Sequence, residues 1–231
     1  DIQRFLESKV PTCKAKAGDP TCLKNYVDDI VEKQGEDGKC LPMAAKPAQT
    51  AAQIIYEVAR ACSINPNVLL VTLQKEQGLI QSVNPTPYMY RAAMGFGCPD
   101  SDPGICGKVY TGLFNQLYRA AKQFRWYGNP EGSFTYWKPG RTVSMRYNPK
   151  SSCGTKSVAL KSQATANLYY YTPYTPNDAA LSNMYGTGDS CSAYGNRNFW
   201  RFYHDWFGSP IGGGYLLRAE GSTETYLIVD S

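Results

Sequence analysis

In the segment Leu69 to Leu79, "LLVTLQKEQGL", a carboxylate falls among aliphatic residues. At about 100° per residue, Leu69, Leu73, Glu76 and Ile80 share one narrow helical stripe, with Val68, Leu70 and Leu79 on its shoulders. The spacing therefore predicts that Glu76 sits on the inward face. Low dielectric disfavours the charged form of a carboxyl group, so such a residue can keep its proton near neutrality and donate it. That is the requirement of a general acid in glycosidic cleavage. The structural alternative is a glutamate paired with an Arg or a backbone amide, or a helix rotated so that Glu76 meets solvent.

A second carboxylate, needed by most glycosidases, is hard to place. Between Gly107 and Asn177 the sequence holds one acid, Glu131. Asp100 and Asp102 stand beside Pro and Gly, where aspartate commonly forms turns. A one-acid mechanism fits better, with a group of the substrate itself stabilising the oxocarbenium-like state. Tyr169, Tyr170, Tyr171 and Tyr174 form the densest aromatic cluster and can orient an acetamido group or stack on sugars; packing at a helix end is the alternative. Trp126, Tyr127, Tyr136 and Trp137 are further sugar platforms or half-buried core. His204, the single His, lies among aromatics with no nucleophile placed near it by motif.

The elements that must carry these residues are mostly helical. Around the acid, Asn65 is a fitting N-cap, Pro66 a fitting first helical residue, and Gly78 a stop. Before it, "QTAAQIIYEVARAC" repeats Ala51, Ile55, Val58 and Cys62 at helical spacing. Further helices are expected at "DIQRFLESK", "CLKNYVDDIVEKQ", "TGLFNQLYRAAKQFRWYGN", Ser157 to Tyr171, from Asn177, and at "NRNFWRFYHDWFG". Residues 81 to 110 read as a loop region. "SFTYWKPGRTVSMRYNP" reads as a hairpin turning at Lys138-Pro139-Gly140, and "YLLRAE" with "TETYLIVDS" as another. The chain is thus a mainly helical α+β protein. Its expected organisation is an N-terminal helical extension over 1–44, a principal domain over 45–208 with a small hairpin lobe, and a linker with the start of a hairpin tail over 209–231.

The 231 residues, 42% hydrophobic and 19% charged, suffice for one good-sized core. Eight Cys without metal-ligand spacing fit disulfides, hence an oxidising compartment and no metal or other cofactor. The pairs 13 with 22 and 98 with 106 suit local staples; 40 with 62 and 153 with 191 is the expected remainder, though sequence leaves the connectivity open. No apolar run approaches a membrane span, and the start at Asp1 fits a mature secreted fragment. The net charge of +5 favours polyanionic surroundings such as a cell wall, while dispersed Lys and Arg argue against nucleic acid.

"INPNVLLVTLQKEQGL" resembles the acid-bearing helix of the goose-type lysozyme and lytic transglycosylase superfamily. "AAMGFGCP" stands where that family has a groove-lining Gly-Leu-Met-Gln segment, and "ANLYYYTPY" is loosely similar to its Ala-Tyr-Asn segment. "GDSCSAYGNRNFWRFYHDWFG" looks like a closing segment of secreted actinobacterial proteins with this lysozyme-like core. The resemblance spans about residues 45 to 208. It implies a disulfide-stapled lysozyme-like domain with Glu76 as catalytic acid, and Gln77, Met94, Gly95, Tyr169, Tyr171 and Tyr174 about the substrate. The implied activity is cleavage of the β-1,4 bond between N-acetylmuramic acid and N-acetylglucosamine in peptidoglycan glycan strands, by a monomer that is secreted or wall-associated. Two departures stand out: Gln77 replaces the family's Ser, and Gly97 or Cys98 stands near the place of the motif Gln. A non-catalytic wall-binding or adhesive module, or an N-acetylglucosaminidase, are the alternative readings.

Overall fold

A computed structural model describes residues 1–98 and 106–209, with the backbone of 216–218 and 225–227. Asp100 and Asp102 lie outside the described residues. The chain divides into two compact units, Asp1–Thr135 and Tyr136–Ser231. Its architecture is α+β and mainly helical, as the periodicities predict.

In the first unit, α1 (Ile2–Lys9) precedes strand β1 (Val27–Ile30), which pairs antiparallel with β2 (Lys46–Thr50). Helices α2 (Ala51–Cys62), α3 (Pro66–Gln77), α4 (Pro87–Arg91) and α5 (Leu113–Tyr127) follow. α2 packs against α1, α3 and α5. Its predicted stripe of Ala51, Ile55, Val58 and Cys62 is buried. Thr50 starts the helix with a capping box: its hydroxyl accepts from Gln53 N–H while the Gln53 side chain accepts from Thr50 N–H.

The expected helix at "CLKNYVDDIVEKQ" is corrected to a 3-10 turn, Leu23–Asn25, followed by β1. Tertiary bonds override the local periodicity here. Asp29 Oδ1 accepts from Ala48 N–H at 2.8 Å, and Tyr26 C=O accepts from Ala51 N–H at 2.9 Å, so the stretch is drawn out along β2.

In the second unit, β3 (Thr142–Arg146) pairs antiparallel with β4 (Thr155–Ala159), ahead of α6 (Gln163–Tyr171), α7 (Asp178–Ser182) and α8 (Gly195–Phe207). Strands β5 (Leu216–Arg218) and β6 (Thr225–Leu227) form the expected antiparallel tail pair. The first hairpin is corrected: Lys138-Pro139-Gly140 lies at its open end, and residues 147–154 make the turn. The helix expected from Ser157 starts at Gln163 instead, because Ser162 accepts the Thr165 amide as N-cap and β4 uses the preceding residues. Val143 and Met145, alternating along β3, join Leu160 and Ala166 in a small core.

All four expected disulfides form: Cys13–Cys22, Cys40–Cys62, Cys98–Cys106 and Cys153–Cys191. Among the described residues no helix is long and apolar enough to cross a membrane.

Candidate active site

α3 begins as its sequence requires. Asn65 Oδ1 accepts from Asn67 N–H at 2.9 Å, and Pro66 occupies the first turn. Its middle is enclosed on every side, since five successive residues from Leu69 to Leu73 are buried. The last turn, Gln74 to Gln77, leaves the core. Gly78, at φ +65°, closes the helix by returning its N–H to Gln74 C=O at 2.9 Å. Gln74 then fastens the exit: its Oε1 accepts from Gln81 N–H, and its Nε2 donates to Gln81 Oε1.

Glu76 therefore stands at the edge of the core, with its side chain 25% exposed. This corrects the expectation of a fully inward position: the stripe of Leu69 and Leu73 is buried, but the helix emerges from the core one turn later. Lys75 Nζ lies 2.8 Å from Glu76 Oε1, and the Lys75 side chain is only 5% exposed. Enclosing an ammonium group without a counter-charge is costly, so the Glu76 carboxylate also serves the packing of Lys75. The partner is thus a neighbouring lysine instead of an arginine or an amide.

The other carboxylate oxygen meets the "MGFG" segment. A Cβ built on Gly95 would come within 3.1 Å of Glu76 Oε2, and Gly95 has φ +70°. Only a residue without a side chain lets the backbone pass this close in this conformation. The segment is held from behind by Gln116 of α5, which is fully buried. Gln116 Oε1 accepts from Met94 N–H at 3.0 Å and Phe96 N–H at 3.1 Å. Its Nε2 donates to Phe96 C=O at 2.8 Å and Tyr110 C=O at 2.7 Å. A buried amide with both ends satisfied fixes the loop to the helix.

Of the residues expected around the acid in this unit, Gly95 faces it across the space a Cβ would fill, and Gln77 lies half-buried in the same helical turn. Met94 does not line a groove. Its side chain is wholly buried and supports the loop from beneath. Gln116 is the residue that sequence reasoning passed over. The signal was present, for Leu113, Gln116 and Ala120 share a stripe of α5, a polar group on an inward face like the one that drew attention to Glu76.

The tyrosines belong to the second unit, where protein partners occupy several of them. Tyr169 packs on the Val143, Met145, Leu160 and Ala166 core, and its hydroxyl pairs with Thr175 Oγ1 at 3.1 Å. Tyr170 accepts from Trp137 N–H at 2.7 Å, with the two rings 4.7 Å apart. Tyr171, in the last turn of α6, and Tyr174, just beyond it, are half-buried. Asn196 of α8 secures that turn by donating to Thr172 C=O and Tyr174 C=O. His204 stacks on Trp200 with centroids 4.9 Å apart, a surface pairing on α8.

No curated protein and no solved structure matches the chain. A family match is found, with the description "LasA, N-terminal domain", and it covers residues 1–213. This chain belongs to the LasA N-terminal domain family.

Proposed function

We propose that the chain is a secreted, wall-associated glycosidase that cleaves peptidoglycan between N-acetylmuramic acid and N-acetylglucosamine, with Glu76 as its single acid/base. The observation that carries this reading is the partly exposed Glu76 carboxylate facing Gly95, which brings the acid beside the segment that the lysozyme resemblance assigns to the groove. In this scheme Glu76 protonates the leaving oxygen while the substrate's acetamido group stabilises the cation-like state. Glu76 then accepts a proton from the sugar's own hydroxyl, giving an anhydro end, or from water, giving a reducing end.

A second reading is favoured by the Lys75–Glu76 ion pair. If that pair is structural, the domain binds wall glycan without cutting it.

Digestion of purified peptidoglycan by the parent and by Glu76→Gln separates the two. Loss of one acid/base group is expected to slow release of muropeptides by about 10²-fold or more. A Glu76→Gln protein that digests wall at the parental rate refutes the glycosidase role, and wall binding by a parent that releases nothing supports the second reading. Mass spectrometry of the new ends distinguishes anhydro-muramic, reducing muramic and reducing glucosamine products, the last marking an N-acetylglucosaminidase.

A further inference from the structure

On the first unit, a pocket of about 240 Å³ is lined by Lys39, Phe96, Arg119, Lys122, Gln123 and Trp126. Three of the six side chains are cations. Glu36 partners two of them: Lys39 Nζ lies 2.9 Å from its Oε2, and Lys122 Nζ bonds its Oε1. Arg119 is left over. Its guanidinium lies over the Tyr110 ring at 5.3 Å, and its enclosed Nε–H has no hydrogen-bond partner among the described residues. Lys33, which donates to Asn115 Oδ1 at 3.0 Å, adds to the same positive field. Its pKa is pushed down by burial and then by repulsion from Arg119 and Lys122.

Among the described residues the positive field is therefore undercompensated, with Glu36 bonded to two of the four cations. Apolar walls sharpen such a field on a bound anion. Phe96 and Trp126 supply them here, with Lys39 Nζ held 4.3 Å from the Trp126 ring centroid. The Glu36 contacts already show that a carboxylate fits the two ammonium groups. The Arg119 guanidinium in the pocket wall suits a further carboxylate, because its planar donors match two coplanar oxygens.

We infer that this pocket binds a carboxylate carried on a ring-bearing ligand, with Arg119 as the principal donor and Phe96 and Trp126 flanking the ring. Phe96 adjoins Gly95, so the pocket and the Glu76 contact sit on neighbouring residues of one loop braced by Gln116. The site does not depend on Glu76 being catalytic.

The test is a titration of the whole chain followed by the indole N–H signal of Trp126. N-acetylmuramic acid carries a lactyl carboxylate; N-acetylglucosamine is the same ring without it. The first is expected to move the Trp126 signal saturably and the second to leave it in place. Arg119→Gln is expected to weaken binding at least tenfold. Should that variant fail to fold, Arg119→Lys, which keeps the charge and loses the planar fork, is expected to weaken it as well. The titration reads Arg119 and Trp126 whereas the cleavage assay reads Glu76, so a failed cleavage assay and a failed binding assay are separate results. Equal shifts by both sugars, parental affinity in the Arg119 variants, or a response to inorganic phosphate alone would each overturn the assignment.

Discussion

Gly78 and Gly95 have nearly the same left-handed backbone, φ +65° and φ +70°, but different neighbours. A Cβ on Gly78 meets nothing within 4 Å, whereas one on Gly95 presses on the Glu76 carboxylate. Alanine at either site carries a backbone cost of about 1 kcal/mol. Only Gly95→Ala also displaces the acid. Chemical denaturation is thus expected to show Gly78→Ala destabilised by about that amount, and Gly95→Ala by at least as much. Wall digestion is expected to fall about tenfold or more in Gly95→Ala alone, since small misplacements of a reacting group are costly. Equal activities in the two variants would remove the Glu76–Gly95 contact from the mechanism. Glu76 was legible as an anomaly because its stripe neighbours are apolar. Its partial exposure was not, because a wheel reports the direction of a side chain and says nothing of where along its length a helix leaves the core.

The second unit relies on a contact between helices that no periodicity reveals. Arg197, in the first turn of α8, is buried, and its Nη1 donates to the carbonyls of Ala180, Asn183 and Gly186 in and after α7. Replacing it with Met keeps the bulk and strands three acceptors, for a loss of about 3 kcal/mol. Thermal unfolding followed through the α8 tryptophans is expected to show that loss, and Arg197→Lys is expected to recover only part of it. A midpoint unchanged in Arg197→Met would mean that water replaces the guanidinium freely. Elements with strong local signals were legible in the sequence: the Thr50 and Asn65 caps, Pro66, Gly78 and the spacing of α2 all act within a few residues. β1 and β4 were not. Each is extended by pairing with a distant strand, Val27 with Thr50 and Thr155 with Arg146, while its own sequence also suits a helix.

Over the molecule, burial is distributed so that alkali and acid act unequally. Tyr26, Tyr90, Tyr118 and Tyr127, all in the first unit, have pKa values raised chiefly by burial. Tyr90 is the extreme case: it stacks on Tyr26 with centroids 3.8 Å apart and donates its hydroxyl to Thr21 C=O at 2.6 Å. Below the ordinary tyrosine pKa of about 10, both folded and unfolded chains keep these protons, and the contribution to stability is whole. Above it the unfolded chain releases protons that the folded chain retains, so stability falls with rising pH. The limiting slope is about 1.4 kcal/mol per pH unit for each such phenol. On the acid side, Glu36 and Glu57 have pKa values lowered by bonds to Lys122 with Lys39 and to Lys46 with Arg60. Their contribution is present above the ordinary glutamate value of about 4.3 and fades as pH falls below it. It is small, because each pair keeps at least one partner well exposed to solvent. The melting temperature is therefore expected to drop steeply from about pH 10 upward and only gently below about pH 4.3, with tyrosine ionisation near 295 nm rising together with unfolding. Tyr90→Phe, which cannot ionise, should start less stable by about 1 kcal/mol for its lost hydrogen bond and then fall less steeply. A melting temperature that stays level through pH 11 would show that these phenols ionise in place without opening the fold.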